Sequence, residues 1–316
     1  ANPCPVISRK TAVRSRSFRA KANSGVRRNK AAEETGVTET QTLHIQPITP
    51  AVGARITGVD LARPMDPLVA QGLRDAFVEH AVLCLPDQKL EPEHQAAFAG
   101  IFGMVDDGNR QSTDPNKMQS ERGVMFVSNI RENGKPIGVL PDGEMHFHSD
   151  GAHRDTPYRA TTLYALKVPS RGGETKFAAM AAAFEALPTD QQERLAGLNA
   201  CHVFNYNKTT RAEMRRDDDA QHAIHPLVKI HPDSGRRSLY ISRLMTRNII
   251  GMDDDESEAL LLELFDHCEK PEFIYAHPWE VGDLVIWDNR SVNHARNDFP
   301  AEEPRLLRRY TVSDPV

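Results

Sequence analysis

Past residue 40 the chain alternates short apolar runs with turn residues, a pattern of strands more than of long helices. Residues 43–48 (LHIQPI) and 54–61 (ARITGVDL) read as strands, the second closed by Arg63-Pro64. The period then changes. Val69, Leu73, Phe77 and Val78 fall on one side of a helix predicted over 67–80. Residues 81–88 (AVLCLPDQ) predict a buried strand stopped by Pro86, and 92–102 a second helix with Pro92 in its first turn. Residues 103–145 are rich in Gly, Asp, Asn and Pro, interrupted by GVMFVSNI; long irregular connections of this kind serve as lids or binding loops. Residues 160–168 and 174–180 predict strands on either side of the turn Pro169-Ser170-Arg171-Gly172-Gly173, with a helix over 181–187. The charged stretch 205–222 reads as mobile. Residues 225–232 and 236–242, flanking Asp233-Ser234-Gly235, read as a hairpin, and 253–268 as a helix opened by acids. FIYAHPW, Val281-Gly282-Asp283 and LVIWDN form a strand-turn-strand unit, and RLLRRYTV closes the pattern. The expectation is a mainly β fold with α decoration, a sandwich or barrel; strand–helix alternation is too irregular for a doubly wound sheet.

At 316 residues, 39% hydrophobic and 26% charged, the chain is long enough for a substantial core in one large or two modest domains. No apolar run approaches a membrane-spanning length, so no membrane partner is expected. Cys4, Cys84, Cys201 and Cys268 are scattered without a CxxC pair. That argues against a cysteine zinc site or disulfide scaffold and for a reducing compartment, the cytoplasm. The net charge of −5 conceals a division. Nine of the 39 Lys and Arg lie in residues 1–32 with no acid among them, leaving 30 against 44 acids beyond, a net of −14. Residues 1–39 are therefore set apart as a basic, disordered extension, from a domain over 40–316. Their Arg, Ser and Ala content also suits a transit peptide, which would move the protein to an organelle matrix; an RNA-binding tail is the third reading. The acidic remainder makes nucleic acid an unsuitable partner.

Candidate chemistry gathers at Met145-His146-Phe147-His148-Ser149-Asp150 and at His294, a short loop beyond LVIWDN. Side chains two apart on a strand share a face, so His146, His148 and Asp150 would point together, with His153 nearby. Two histidines and a carboxylate on one face of an octahedron make the triad of non-haem Fe(II) oxygenases. The alternative is a zinc-dependent hydrolase using His146, His148, Asp150 and His294. H-x-H-x-D of the metallo-β-lactamase type expects a further His after the Asp, where Gly151 stands. Histidines engaged only in structural hydrogen bonds are the third reading. In RLLRRYTV, alternation puts Arg305, Leu307 and Arg309 on one face, and Leu306, Arg308 and Tyr310 on the other. Two arginines sharing a face of an apolar strand call for an anion, and their forks suit a dicarboxylic co-substrate. A solvated edge strand is the bland alternative.

On these residues the chain resembles the TauD/TfdA family of Fe(II)- and 2-oxoglutarate-dependent dioxygenases. The resemblance runs from Leu43 onward through VGARITGVDLARP, FHSD, VPSRGGETKFAAM, HPLVKIHPDSGRRSLYIS and WDNRSVNHARNDF to RLLRRYTV. It implies a double-stranded β-helix (jelly roll) core, with His148, Asp150 and His294 as iron ligands. Arg305 would hold the distal carboxylate of 2-oxoglutarate, Thr175 would donate a hydroxyl to it, and Arg309 would lie near both co-substrate and prime substrate. The implied reaction consumes O2 and 2-oxoglutarate, releases succinate and CO2, and hydroxylates an unactivated C–H of a small carboxylate or sulfonate. Dimers or tetramers are the implied assembly. There are departures. Taurine-oxidising members carry a histidine shortly after Phe-Gly, where this chain has Gly108, and Glu144 stands where an amide is expected. Taurine is therefore not the expected substrate, and Asn129, Glu144, His146, His153 and Arg309 are the candidate substrate contacts. Asp150 argues against halogenation, and a non-catalytic binding jelly roll is the remaining alternative.

Overall fold

A computed structural model describes residues 41–106, 124–140, 143–205, 208, 210–216 and 219–314. The basic segment 1–39 and Gly108 lie outside the described residues. Among those described, nineteen strands and six α-helices follow one another. β1 (His44–Pro47) and β2 (Ala54–Thr57) lead to α1 (Pro67–His80), β3 (Val82–Leu85), α2 (Pro92–Gly100) and β4 (Met104–Val105). Next come β5 (Met125–Ser128), the short β6 (Arg131–Glu132) and β7 (Lys135–Pro136), β8 (Met145–His148), β9 (Ala160–Lys167) and β10 (Thr175–Ala179). α3 (Met180–Glu185) and α4 (Thr189–Ala196) precede β11 (Asn199–Phe204), α5 (Arg211–Arg215), β12 (Gln221–Pro226), β13 (Val228–Ile230), β14 (Arg237–Leu239) and β15 (Thr246–Ile249). After α6 (Asp254–Cys268) come β16 (Ile274–His277), β17 (Leu284–Asp288), β18 (Val292–Arg296) and β19 (Leu306–Ser313).

Eight strands form the larger sheet, in the order β1-β2-β3-β17-β9-β19-β4, with β5 also paired to β19. Its ladders are antiparallel apart from β2–β3. A second, antiparallel sheet runs β16-β10-β18-β8, and a third runs β12-β11-β15. Alternation explains where the core lies. Val82, Cys84, Leu163, Val285, Trp287 and Leu307, from the inner face of the large sheet, share one apolar cluster with Phe147, Phe177, Val292 and Ala295 of the four-stranded sheet. The intervening positions Leu83, Leu85, Tyr164, Ile286, Tyr310 and Val312 pack on the opposite face against Leu73 and Phe77 of α1, Phe98 of α2 and Phe102 just after it. The central strands are thus covered on both sides, which is why they read as continuous apolar runs. Each large side chain so buried contributes about 1.5–3 kcal/mol.

Local chemistry sets the helix ends. Asp66 caps α1 by accepting from the Leu68 amide at 2.7 Å, Pro67 fills its first turn, and Ala81 ends it in the left-handed region at φ 59°. The bounds and the buried Val69, Leu73 and Phe77 match the predicted stripe, with Val78 half-buried at its edge. β13 and β14 form the expected hairpin. β16 and β17 flank a turn at 281–282, as the strand-turn-strand reading expects, yet they do not pair and belong to different sheets. One expectation is corrected. Part of the stretch 205–222 is ordered as α5, which Thr210 and Glu213 cap reciprocally and Arg211 ties to Glu258.

Candidate metal centre

Pairing of β8 with β18 puts His148 directly opposite His294, and β10 on the other side puts Phe177 opposite His294. β8 ends at His148, so Asp150 is delivered by the turn that follows and not by the strand itself. Its carboxylate accepts from the Thr161 hydroxyl of β9 at 2.7 Å, and its amide donates to Asn289 Oδ1 at 3.4 Å. Asn289 in turn donates to Thr161 Oγ1 and accepts from Trp287 Nε1, while the Ser149 hydroxyl donates to its backbone carbonyl. A buried polar frame therefore fixes the carboxylate from the large sheet while the imidazoles come from the small one.

Ligand atoms of His148, Asp150 and His294 all lie within 4.8 Å of one another, and all three residues are buried. No other group of three or more His, Cys, Asp or Glu is so disposed among the described residues. The two imidazole rings are 4.1 Å apart, and His294 Nε2 is 3.8 Å from Asp150 Oδ2. Nδ1 of His148 meets the His146 carbonyl at 2.9 Å, as a donor, which turns Nε2 free of its proton. Trp287 packs its ring 4.6 Å from that of His294. Burial pulls both imidazoles below their usual range, for His294 far below, and keeps them neutral. For Asp150 burial acts upward, but the Arg309 guanidinium, aided by the Thr161 hydroxyl, outweighs it and holds the carboxyl well below the usual carboxylate range. Neutral imidazoles beside an ionised carboxylate are the protonation states that a divalent cation requires, and the N2O donor set suits Fe(II).

Of the two arginines on one face, Arg309 borders this centre. Arg309 Nη2 sits 2.8 Å from Asp150 Oδ1, and its Nε is buried without a partner. Arg305 is only 2% exposed; Nη2 donates to the Gly173 carbonyl at 3.3 Å, and Nη1 has no partner at all. Burial, reinforced by Arg296, pulls its guanidinium down to about 9. A buried cation lacking a counter-charge is costly, so the site is complementary to an anion. Thr175 stands on the face of β10 that carries Phe177, and Arg305, just before β19, is two positions from Leu307 and so on its side of the chain; Phe177 and Leu307 meet in the same core. The turn before β10 needs glycine: Gly172 and Gly173 have φ of +70° and +72°, and a Cβ on Gly172 would lie 2.3 Å from the Asp298 carbonyl. The orphaned guanidinium and the hydroxyl of Thr175 fit a keto-diacid bound between the sheets.

Other candidates fare differently. Asn129 acts as a clamp: its amide donates to the Ala301 and Glu303 carbonyls, and Oδ1 accepts from the Arg305 amide at 2.9 Å. His146 lies outside the three-residue group, so the four-ligand zinc set is not formed. His153 stacks on Phe204 at 5.1 Å with Nδ1 buried and unpartnered, and burial pulls it to about 4. Glu144 is exposed at the approach to β8. Sequence reasoning missed Thr161 and Asn289. Only Asn289, in the WDN run, carried a signal; a threonine inside an apolar strand looks like any other.

A family model described as "Taurine catabolism dioxygenase TauD, TfdA family" matches residues 44–311. The chain is 33% identical over 282 residues to an (S)-phenoxypropionate/alpha-ketoglutarate-dioxygenase of Sphingobium herbicidovorans, covering 83% of this chain and 92% of the relative. It is 32% identical over 281 residues to an alpha-ketoglutarate-dependent 2,4-dichlorophenoxyacetate dioxygenase of Cupriavidus pinatubonensis, covering 85% and 96%. The crystal structure of a taurine dioxygenase from Burkholderia xenovorans superposes with a TM-score of 0.71 at 29% identity, covering 86% of this chain and 91% of that one.

Proposed function

Because the chain belongs to the taurine catabolism dioxygenase TauD, TfdA family, we propose that His148, Asp150 and His294 hold its iron, with Arg305 and Thr175 gripping its co-substrate. The protein is an α-ketoglutarate-dependent dioxygenase that acts on a small molecule, with Fe(II) and 2-oxoglutarate as its cofactors. What Fe(II) supplies when bound is O2-dependent oxidation coupled to conversion of 2-oxoglutarate into succinate and CO2. The chain supplies position. The partnerless Nη1 of Arg305 is the observation that carries the reading: a guanidinium this deep is satisfied by the far carboxylate of 2-oxoglutarate. Thr161 and Asn289 orient the Asp150 carboxylate, and Arg309 lies beside it with donors to spare for a second anion.

The prime substrate on this reading is a small carboxylate or sulfonate, hydroxylated at an unactivated C–H. Arg309 supports the acid group. The apolar cluster of Ala152, Tyr240, Leu244 and Met245, flanked by Met145 and Phe204, adjoins β8 and the Asp150 turn and suits an apolar body. Both curated relatives are named for aryloxy acids. The facing antiparallel sheets support a jelly-roll core, and the family match supports 40–316 as the catalytic domain, with 1–39 a separate basic segment. The test is succinate release with Fe(II), 2-oxoglutarate and O2 across a panel of aryloxyalkanoic acids, aliphatic carboxylates and sulfonates. Stimulation by at least one acid is expected. Release that no acid in the panel stimulates would overturn the anionic-substrate reading.

A further inference from the structure

Thr175 receives a hydrogen bond whose direction is fixed. Trp279 Nε1 lies 3.0 Å from Thr175 Oγ1, and an indole N–H can only donate. The threonine oxygen is therefore the acceptor in that bond, and its single proton is left to point elsewhere. A hydroxyl free to rotate can present either a lone pair or a proton; this one is biased to present the proton. Trp279 is itself held. Its ring stands edge-on to His277 at 4.6 Å and 89°, and His277 is the cross-strand partner of Thr175. Nδ1 of His277 pairs with the Tyr275 hydroxyl at 2.7 Å, and its Nε2 lies 3.1 Å from Asp283 Oδ2 without the geometry of a hydrogen bond. Asp283 also accepts from the Glu280 amide at 3.0 Å, which closes the turn just after Trp279.

We propose that Trp279, braced by His277 and Asp283, is a positioning residue that sets Thr175 as a hydrogen-bond donor and so selects 2-oxo acids carrying a second, far carboxylate. The inference rests on Thr175 contacting the co-substrate, as proposed above. It concerns the far end of the ligand alone.

The experiment is calorimetric titration of the Mn(II)-loaded full chain, without turnover, with 2-oxoglutarate and with 2-oxovalerate, which lacks the far carboxylate. Trp279→Phe keeps the ring against His277 and removes the N–H. It is expected to weaken 2-oxoglutarate about tenfold, in the range of one hydrogen bond to a charged group, and to leave 2-oxovalerate within about twofold. Equal weakening of both ligands would mean general loosening and would overturn the inference. Thr175→Val separates the two layers of the argument. If it weakens 2-oxoglutarate while Trp279→Phe does not, only the inference falls; if it changes nothing, the Thr175 assignment falls and takes the inference with it. His277→Gln removes the surface that Trp279 rests on, is expected to shift the same ratio in the same direction, and serves if Trp279→Phe does not fold.

Discussion

Arg305 and Arg308 are three positions apart, both are buried, and neither meets a carboxylate, yet their surroundings differ. Arg308 donates through Nε to Gln95 Oε1 and through Nη2 to the Leu90 carbonyl, both at 2.7 Å, and lies over the Tyr164 ring. Its bonds are made, on the helix side of the large sheet. Arg305 has one long bond and an orphaned nitrogen. Removing one side of a buried charge pair costs about 3–5 kcal/mol, so Arg305→Ala is expected to weaken 2-oxoglutarate by about two to three decades. The ligand-free variant should melt no lower than the parent, since it loses a cation that burial disfavours. Arg308→Met should do the reverse: leave 2-oxoglutarate affinity intact and cost about 2 kcal/mol of stability by stranding Gln95 and the Leu90 carbonyl. Titration and thermal melting of both variants check the pair, and a low-melting Arg305→Ala with normal affinity would exchange their roles.

At the scale of elements, the last strand works only if the residue that leads into it is seated. Asn129, just after β5, spans the chain before β19 by donating to two carbonyls and accepting from the Arg305 amide. Asn129→Ala is expected to weaken 2-oxoglutarate about tenfold while leaving Mn(II) affinity unchanged, because the metal residues lie on β8, its following turn and β18; equal loss of both by calorimetry would point to a wider collapse. The elements also explain what was legible beforehand. α1 was readable because Asp66, Pro67 and a 3.6-residue apolar stripe agree. The face of Arg305 and Arg309 was readable because alternation is local. Pairing was not: FIYAHPW and LVIWDN look like hairpin arms, but burial pattern says which face of a strand is covered and not which neighbour it joins. The roles of Asn129 and Trp279 were hidden for the same reason, since each acts on a residue more than a hundred positions away. His148, Asp150 and His294 could be named from residue type and spacing, though Asp150 is brought in by a turn and not by the strand face that suggested it.

For the molecule as a whole, the centre lies where the two sheets meet, so each sheet contributes what the other cannot. β8 and β18 bring imidazoles, β9 and the Asn289 turn steady the carboxylate, and β19 brings the arginines. No described helix is long and apolar enough to cross a membrane. A chain starting at Thr40 tests the proposed domain boundary, and it is expected to bind Mn(II) and 2-oxoglutarate as the full chain does. The register that sets His148 against His294 has one more consequence. An ion shared by those two side chains ties together strands that are distant along the polypeptide, and so it acts as a removable clip on a very long loop. Occupancy then becomes a source of folding free energy, about 2.7 kcal/mol when free metal stands at a hundred times its dissociation constant. Stripping the metal should lower the melting temperature and speed proteolytic cleavage of both the full and the shortened chain, with re-addition restoring both.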